Sequence, residues 1–125
     1  MHRSRLPGFI IDCNTDNLPA AAEFWGAALG FEVRAMPDEE GKYIEFVEPS
    51  GRLHIEVQAV IHPSRVHLDI ESDDVEAEVR RLESLGATRV EKVRTWWVMQ
   101  APTGQRFCVV RSQRGGFEAE ANVWE

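Results

Sequence analysis

The chain has 125 residues, of which 43% are hydrophobic and 28% charged, and its formal net charge is −7. These proportions are typical of a folded globular domain, and the negative charge argues against a nucleic-acid or anionic-membrane partner. No apolar run approaches the roughly 20 residues that cross a bilayer, and the N-terminal apolar segment is too short for a signal peptide. We therefore expect one domain, in the cytoplasm, with reduced cysteines.

The first half of the chain predicts a strand, a helix and three further strands. The helix is predicted over residues 18–29, because a polar turn precedes it, Pro19 suits its first turn and Gly30 is placed to end it. Its apolar stripe, expected to pack on the sheet, comprises Ala21, Phe24, Trp25, Ala28 and Leu29. The strands are predicted over residues 8–13, 31–36, 43–47 and 52–58. The acidic run at residues 38–40 is expected to be a solvated loop.

The second half repeats this order. A strand over residues 65–70 is followed by a helix over residues 75–85, which the polar residues 72–74 cap and Gly86 ends. Further strands are predicted over residues 88–93, 95–100 and 106–110. The tail, residues 112–125, is expected to be loosely held.

Two of the predicted strands have one apolar and one polar face. Val66, Leu68 and Ile70 alternate with His67 and Asp69. In the strand over residues 52–58, Leu53, Ile55 and Val57 alternate with His54, Glu56 and Gln58. Imidazole and carboxylate groups on one strand face are unusual for a core, so we expect that face to line a cavity.

The internal repeat predicts how the halves pair. Leu29-Gly30-Phe31 echoes Leu85-Gly86-Ala87, and Pro49-Ser50-Gly51 echoes Pro102-Thr103-Gly104. A short repeated module that cannot bury its own sheet must pair with its copy. Helices on one face of each sheet would leave the other faces to curve around a shared cleft.

The motifs in this order resemble the glyoxalase/bleomycin resistance/dioxygenase superfamily, whose fold is called vicinal oxygen chelate, and in detail its glyoxalase-like domain proteins. The resemblance spans about residues 8–111 and rests on Phe24-Trp25, Leu29-Gly30-Phe31, His67-Leu68-Asp69, Leu85-Gly86-Ala87 and the run from Pro102 to Phe107. It implies an α+β fold in which two βαβββ modules, residues 8–58 and 65–111, form a cupped eight-stranded mixed sheet. It also implies a homodimer.

The resemblance places the superfamily's metal ligands on the first, fourth, fifth and eighth strands. The repeat aligns Ile10 with His67, and His54 with Cys108. Ile10 has no donor atom, and Cys108 stands where metal-binding relatives carry glutamate. We therefore expect no bound metal. If zinc, nickel, iron or manganese were bound, the ligands would be His54, Glu56, His67 and Cys108.

Without a metal, His67 and Asp69 are the predicted catalytic pair, since a carboxylate beside an imidazole orients it and raises its basicity. The predicted ligand-binding residues are Asp12, Tyr43, His54, Glu56, Trp96, Trp97 and Cys108. Alternatively, Asp69 pairs with Arg106 and only stabilises the sheet. Trp96 and Trp97 are adjacent and must face opposite sides of their strand, and the pattern does not decide which side each takes.

Three functions follow. The first is a metal-independent small-molecule-binding protein, which sequesters its ligand or performs acid–base chemistry on it. The second is a metal-dependent lyase, isomerase or dioxygenase, in which the metal polarises a substrate oxygen. The third is a non-catalytic accessory domain. No motif identifies the ligand, and such a fold does not determine function by itself.

Overall fold

A computed structural model describes residues 1–34, 41–112 and 116–125. Within these ranges the helices are α1 (Leu18–Leu29), α2 (Val75–Ser84) and α3 (Phe117–Glu120). The strands are β1 (His2–Cys13), β2 (Glu32–Arg34), β3 (Tyr43–Val47), β4 (His54–Ala59), β5 (Arg65–Ser72), β6 (Thr88–Val93), β7 (Trp96–Gln100), β8 (Arg106–Arg111) and β9 (Asn122–Trp124). The order confirms two successive βαβββ modules. None of the helices in these ranges is long and apolar enough to span a membrane. The predicted acidic loop at residues 38–40 lies outside the described residues.

The chain forms two compact units. The α1 unit is Gly8–His67, and the α2 unit is Met1–Pro7 together with Leu68–Glu125. The boundaries fall inside β1 and β5, so each of these strands contributes residues to both units.

In the α1 unit, one face of a mixed sheet packs against α1. The strands are hydrogen-bonded in the order β2-β3-β4-β1, with β4 and β1 parallel and the other pairs antiparallel. Because side chains alternate along a strand, every second residue turns toward the helix. The buried core of this unit comprises Ile11, Cys13, Leu18, Ala22, Ile44, Phe46, Ile55 and Val57.

The ends of α1 match the prediction, but its packing face does not. The Asn17 side chain accepts a hydrogen bond from the Ala20 amide, and Gly30 ends the helix at a φ of 75°. The buried helix residues are Leu18, Ala22 and Gly26, whereas Phe24 is 62% exposed. The predicted stripe is therefore wrong at Phe24, and also at Ala28 and Leu29, which are exposed.

Gly26 explains the shift of the packing face. A Cβ at this position would lie 3.0 Å from the Phe31 carbonyl oxygen and 3.3 Å from Val33 Cγ2. The helix thus lies close to Phe31 and Val33 at a position that has no side chain. A glycine contributes nothing to a hydrophobic pattern, so the sequence pattern gave no weight to this position.

In the α2 unit, α2 packs on a group of four strands. The strands follow the order β5-β8-β7-β6, with β5 and β8 parallel. The buried core comprises Val79, Leu82, Met99 and Val109. The Asp74 side chain caps α2 by accepting a hydrogen bond from the Ala77 amide at 3.0 Å, as the polar run before the helix predicts.

Both chain ends extend the α2 unit beyond the predicted elements. β1 begins at His2, six residues before the predicted strand, and β9 pairs antiparallel with its residues His2 to Ser4. The Trp124 indole donates a hydrogen bond to the Ser4 hydroxyl at 2.8 Å. Phe117, at the start of α3, is 7% exposed. Within the described part of the tail that was predicted to be loosely held, Phe117 and Trp124 pack in the α2 unit.

Candidate functional site

The polar face of the α1 unit is the side of its sheet opposite α1. In the strand register Asp12 lies beside Gln58, and Gln58 lies beside Tyr43. Registered neighbours point to the same side of a sheet. Ile11 and Val57, which alternate with these residues, belong to the core under α1. We define the polar face as Asp12, Tyr43, Glu45, His54, Glu56 and Gln58, together with His67, which contacts Asp12.

Asp12 and His67 are in direct contact on this face. The Nδ1 atom of His67 lies 2.7 Å from Oδ2 of Asp12. The Asp12 side chain is 2% exposed and that of His67 is 11% exposed. An ionised carboxylate only accepts hydrogen bonds, so Nδ1 carries the proton and Nε2 carries the lone pair of the neutral ring. Asp12 therefore sets both the tautomer and the orientation of His67. Sequence reasoning gave this orienting role to Asp69.

Two further basic groups approach the same carboxylate oxygen. Arg65 Nε lies 3.7 Å and His62 Nε2 lies 4.0 Å from Asp12 Oδ2. Both distances exceed those of a hydrogen bond. The other oxygen, Oδ1, is buried and has no hydrogen-bond partner among the described protein groups. The two oxygens of Asp12 thus have very different surroundings.

Asp12 also affects Cys13, which points to the opposite side of β1. Burial, and secondarily the negative charge of Asp12, raise the pKa of the Cys13 thiol above its usual value of 9.0. The thiol packs in the core and contacts the Ile11 carbonyl oxygen at 3.5 Å. Cys13 is therefore a protonated core residue.

His54 lies between two glutamates. Its Nδ1 is 3.2 Å from Glu45 Oε1 and its Nε2 is 3.1 Å from Glu56 Oε2. Both ring nitrogens can donate to carboxylates only in the imidazolium form. Gly8 brings the backbone of β1 against the His54 backbone, since a Cβ at residue 8 would lie 1.8 Å from the His54 carbonyl oxygen. His54 and Glu56 were predicted site residues, whereas Glu45 was not.

Tyr43 completes the polar face through a contact with Gln58. The Gln58 side-chain amide donates a hydrogen bond to the Tyr43 hydroxyl at 3.0 Å. Both residues lie at the end of the β3–β4 pair, where Tyr43 and Gln58 are in register. Tyr43, which sequence reasoning left as either a ligand-binding residue or a plain strand tyrosine, thus lies on the polar face.

The remaining predicted site residues lie in the α2 unit. Asp69 and Cys108 are registered neighbours on β5 and β8. Trp97 lies beside Val109 and packs on the core under α2, with the Arg89 guanidinium 4.9 Å from its ring centroid. Trp96 lies on the opposite side of β7. The structure thus decides which tryptophan shares a face with Cys108, and it is Trp96.

The donor atoms of the α1 unit do not fit the superfamily's metal-ligand positions. The first-strand position is Ile10, a hydrocarbon side chain that is 3% exposed. The fourth-strand position is His54, whose two nitrogens already face carboxylates. A metal ion at these two positions would lack the first-strand ligand, and His54 would have to leave its carboxylate partners to bind it.

A concave surface on the outer side of α1 lacks the chemistry of the polar face. An open depression on the outer side of α1 is lined by Ala20, Glu23, Phe24, Ala27 and Ala28. It carries one carboxylate and no imidazole. The polar face therefore remains the candidate site of this unit.

Comparison with known proteins identifies the family. A sequence profile described as a glyoxalase-like domain matches residues 8–110. The chain belongs to the glyoxalase-like domain family. No curated protein sequence matches it significantly.

Solved structures similar to this glyoxalase-like domain confirm its α+β fold. A glyoxalase/bleomycin resistance protein/dioxygenase superfamily member from Vibrio splendidus has a TM-score of 0.54 at 18% identity, covering 90% of this chain and 100% of that one. Methylmalonyl-CoA epimerase from Mycobacterium tuberculosis has a TM-score of 0.58 at 16% identity, with 87% and 88% covered. The Mn(II)-bound glyoxalase from Novosphingobium aromaticivorans has a TM-score of 0.59 at 14% identity, with 89% and 40% covered. At these identities the likeness concerns the fold.

Sequence reasoning missed Glu45 of the polar face and two basic neighbours of Asp12. Glu45 was overlooked, although it alternates with Ile44 and Phe46 and so shares the face of Tyr43. Arg65 is the first residue of the strand predicted over residues 65–70, and that pattern gives it no role. No local pattern marks Arg65 or His62 as neighbours of Asp12, because about 50 residues separate them from it.

Proposed function

We propose that this glyoxalase-like domain is a metal-independent small-molecule-binding protein whose ligand contacts the polar face of the α1 unit. His67, oriented by Asp12, would bind the ligand through a polar contact or exchange a proton with it. The observation that carries this proposal is the 2.7 Å contact between His67 Nδ1 and the almost fully buried Asp12 carboxylate. A buried acid that holds an imidazole in one tautomer is the arrangement that general acid–base catalysis uses.

The chemistry of the pair supports both roles. Asp12 stabilises the imidazolium that would form when Nε2 accepts a proton, because opposite charges attract strongly away from water. The same pair would also bind a ligand without reaction, with His67 and Tyr43 supplying polar contacts. A positioned acid–base group typically contributes about 10²–10⁴-fold to a reaction rate.

The second candidate is a metal-dependent lyase, isomerase or dioxygenase. The Mn(II)-bound glyoxalase among the structural neighbours favours it. The hydrocarbon side chain of Ile10 speaks against it. The epimerase from Mycobacterium tuberculosis is a neighbour whose name describes an isomerisation, and it keeps isomerase chemistry among the candidates. A non-catalytic accessory domain is the third candidate.

Native mass spectrometry combined with elemental analysis tests the proposal. We expect the purified protein to retain or take up a small organic molecule, to contain metal well below one ion per chain, and to lose the organic molecule in His67→Ala. The matched control is His62→Ala, which removes an imidazole 4.0 Å from Asp12 that makes no hydrogen bond to it. One zinc, nickel, iron or manganese ion per chain, lost in His67→Ala, would overturn the proposal in favour of the second candidate.

Deuterium incorporation separates proton exchange from simple sequestration. The protein with its retained ligand is incubated in D₂O, and the ligand is then released. Its exchangeable N–H and O–H groups are returned to protium, and its mass is measured by mass spectrometry. Acid–base action predicts carbon-bound deuterium in the ligand, at a rate that falls about 100-fold or more in His67→Ala. Sequestration predicts bound ligand without deuterium. If neither the native protein nor His67→Ala retains or binds a ligand, the result favours a non-catalytic accessory domain.

A further inference from the structure

Only one of the two oxygens of the Asp12 carboxylate has a hydrogen-bond partner among the described protein groups. Its Oδ2 atom contacts His67 Nδ1 at 2.7 Å and has Arg65 Nε and His62 Nε2 at 3.7 and 4.0 Å. Its Oδ1 atom is buried and has no hydrogen-bond partner among the described protein groups. The side chain as a whole is 2% exposed.

Such an oxygen is unfavourable unless something donates to it. A buried charged acceptor without a partner loses its hydration and regains nothing. Rotating the carboxyl group does not help, because either oxygen can take the His67 contact and the other is then left without a donor. The nearest registered neighbour, Gln58, uses its amide on the Tyr43 hydroxyl at 3.0 Å.

We propose that Asp12 Oδ1 accepts a hydrogen bond from a hydroxyl or amino group of the ligand. The inference rests on the proposed function and narrows its ligand class. The ligand carries an O–H or N–H donor beside the atom that His67 addresses. Asp12 then has two tasks: one oxygen orients His67 and the other orders the ligand against it. Donor binding to a buried carboxylate is a charge-assisted hydrogen bond, which is stronger than a neutral one.

Three small probes of similar shape test the donor requirement. Benzyl alcohol offers a neutral donor, benzylamine a charged donor, and benzyl methyl ether no donor. Each is titrated into ¹⁵N-labelled protein, and the amide resonances of Asp12, Gln58 and His67 are followed. We expect the alcohol and the amine to shift these resonances, and the ether to bind at least about tenfold more weakly, the ratio for loss of one hydrogen bond to a charged group.

Asp12→Asn gives a sharper readout. The asparagine carbonyl can accept from His67 Nδ1, which places the amide –NH₂ where Oδ1 lies in the native protein. An acceptor becomes a donor, so benzylamine should lose at least about tenfold in affinity while the ether does not. Asp16→Asn is the matched control. It removes one negative charge from an exposed residue of the same unit and should leave all three affinities unchanged.

The outcomes separate this inference from the proposed function. Equal affinity of the three probes for the native protein, or no shift at these resonances by any of them, overturns the inference. If Asp12→Asn and Asp16→Asn lose the same affinity for benzylamine, the inference is also overturned, because charge alone would then explain binding. The proposed function is judged separately, by the ligand retained in native mass spectrometry. If Asp12→Asn does not fold, the ratio of the alcohol to the ether on the native protein decides.

Discussion

At the scale of single residues, the polar face of this glyoxalase-like domain depends both on side-chain contacts and on close backbone packing. Asp12 and His67 are 55 positions apart and meet only because β1 and β5 bring them together. Gly8 acts through the backbone, since its lack of a Cβ lets β1 lie against His54. His54 in turn contacts Glu45 and Glu56. A residue without a side chain therefore helps to position a charged cluster.

Gly8→Ala should destabilise the fold. Its Cβ would fall 1.8 Å from the His54 carbonyl oxygen, so the β1–β4 backbones must separate. Overpacking of this kind costs about 1–3 kcal/mol or more. Urea unfolding followed by circular dichroism measures the loss. Ala27→Ser, on the exposed side of α1, is the control and should change the free energy of unfolding by less than about 0.5 kcal/mol. Similar values for the two variants would contradict the close approach.

At the scale of elements, Glu78 ties α2 to both chain ends. Its side chain is fully buried and accepts two hydrogen bonds from Arg81, both at 2.8 Å. His2 Nε2 lies 2.7 Å from the same carboxylate, and the Arg81 guanidinium lies 3.8 Å from the Trp124 ring centroid. A helix, the first strand and the last strand thus share one buried ionic group. This group holds β9 beside the start of β1.

Arg81→Met should destabilise the α2 unit strongly. The change leaves the buried Glu78 charge without its main partner, and breaking such a pair costs about 3–5 kcal/mol. Arg80→Met is a matched control on the next residue. Arg80 pairs with Glu76 at the surface and is 73% exposed, so its loss should cost no more than about 1 kcal/mol. Denaturant unfolding measures both. Equal losses would show that Glu78 is not held by Arg81.

The same variant has a pH signature. Burial has the largest single effect on the Glu78 pKa and raises it, but hydrogen bonds from Arg81, Ser4 and His2 together hold it below its ordinary value of 4.5. A lowered carboxyl pKa adds stability that is present above the unfolded value and is lost as the pH falls through the folded value. The stability difference between the native protein and Arg81→Met should therefore shrink below about pH 4.

At the scale of the whole molecule, we predict a homodimer, because the superfamily that the chain resembles commonly dimerises at this length. Size-exclusion chromatography with light scattering should give twice the mass of the chain at micromolar concentration. Ligand binding and deuterium incorporation should not change on dilution until the dimer dissociates. A monomer mass at micromolar concentration would contradict the prediction.

Much of the fold could be predicted from local pattern. Asn17 and Gly30 mark the ends of α1 correctly because capping and left-handed termination are chemistry of adjacent residues. The alternation in β4 correctly separates Ile55 and Val57 from His54 and Glu56. The sequence pattern did not predict contacts that depend on a glycine, as at Gly26, or on a segment distant in the chain, as with Trp124 and Ser4.

The candidate site divides in the same way. The sequence by itself determined that His67, His54 and Glu56 lie on polar strand faces, because side chains alternate with a period of two whatever the partner strand is. It also carried the family resemblance that the profile match confirms. Only the tertiary structure decided that Asp12 is the carboxylate at His67, and that Trp96 rather than Trp97 shares the face of Cys108. Contacts between strands depend on register and sheet order, which are properties of the assembled sheet and of no local stretch of chain.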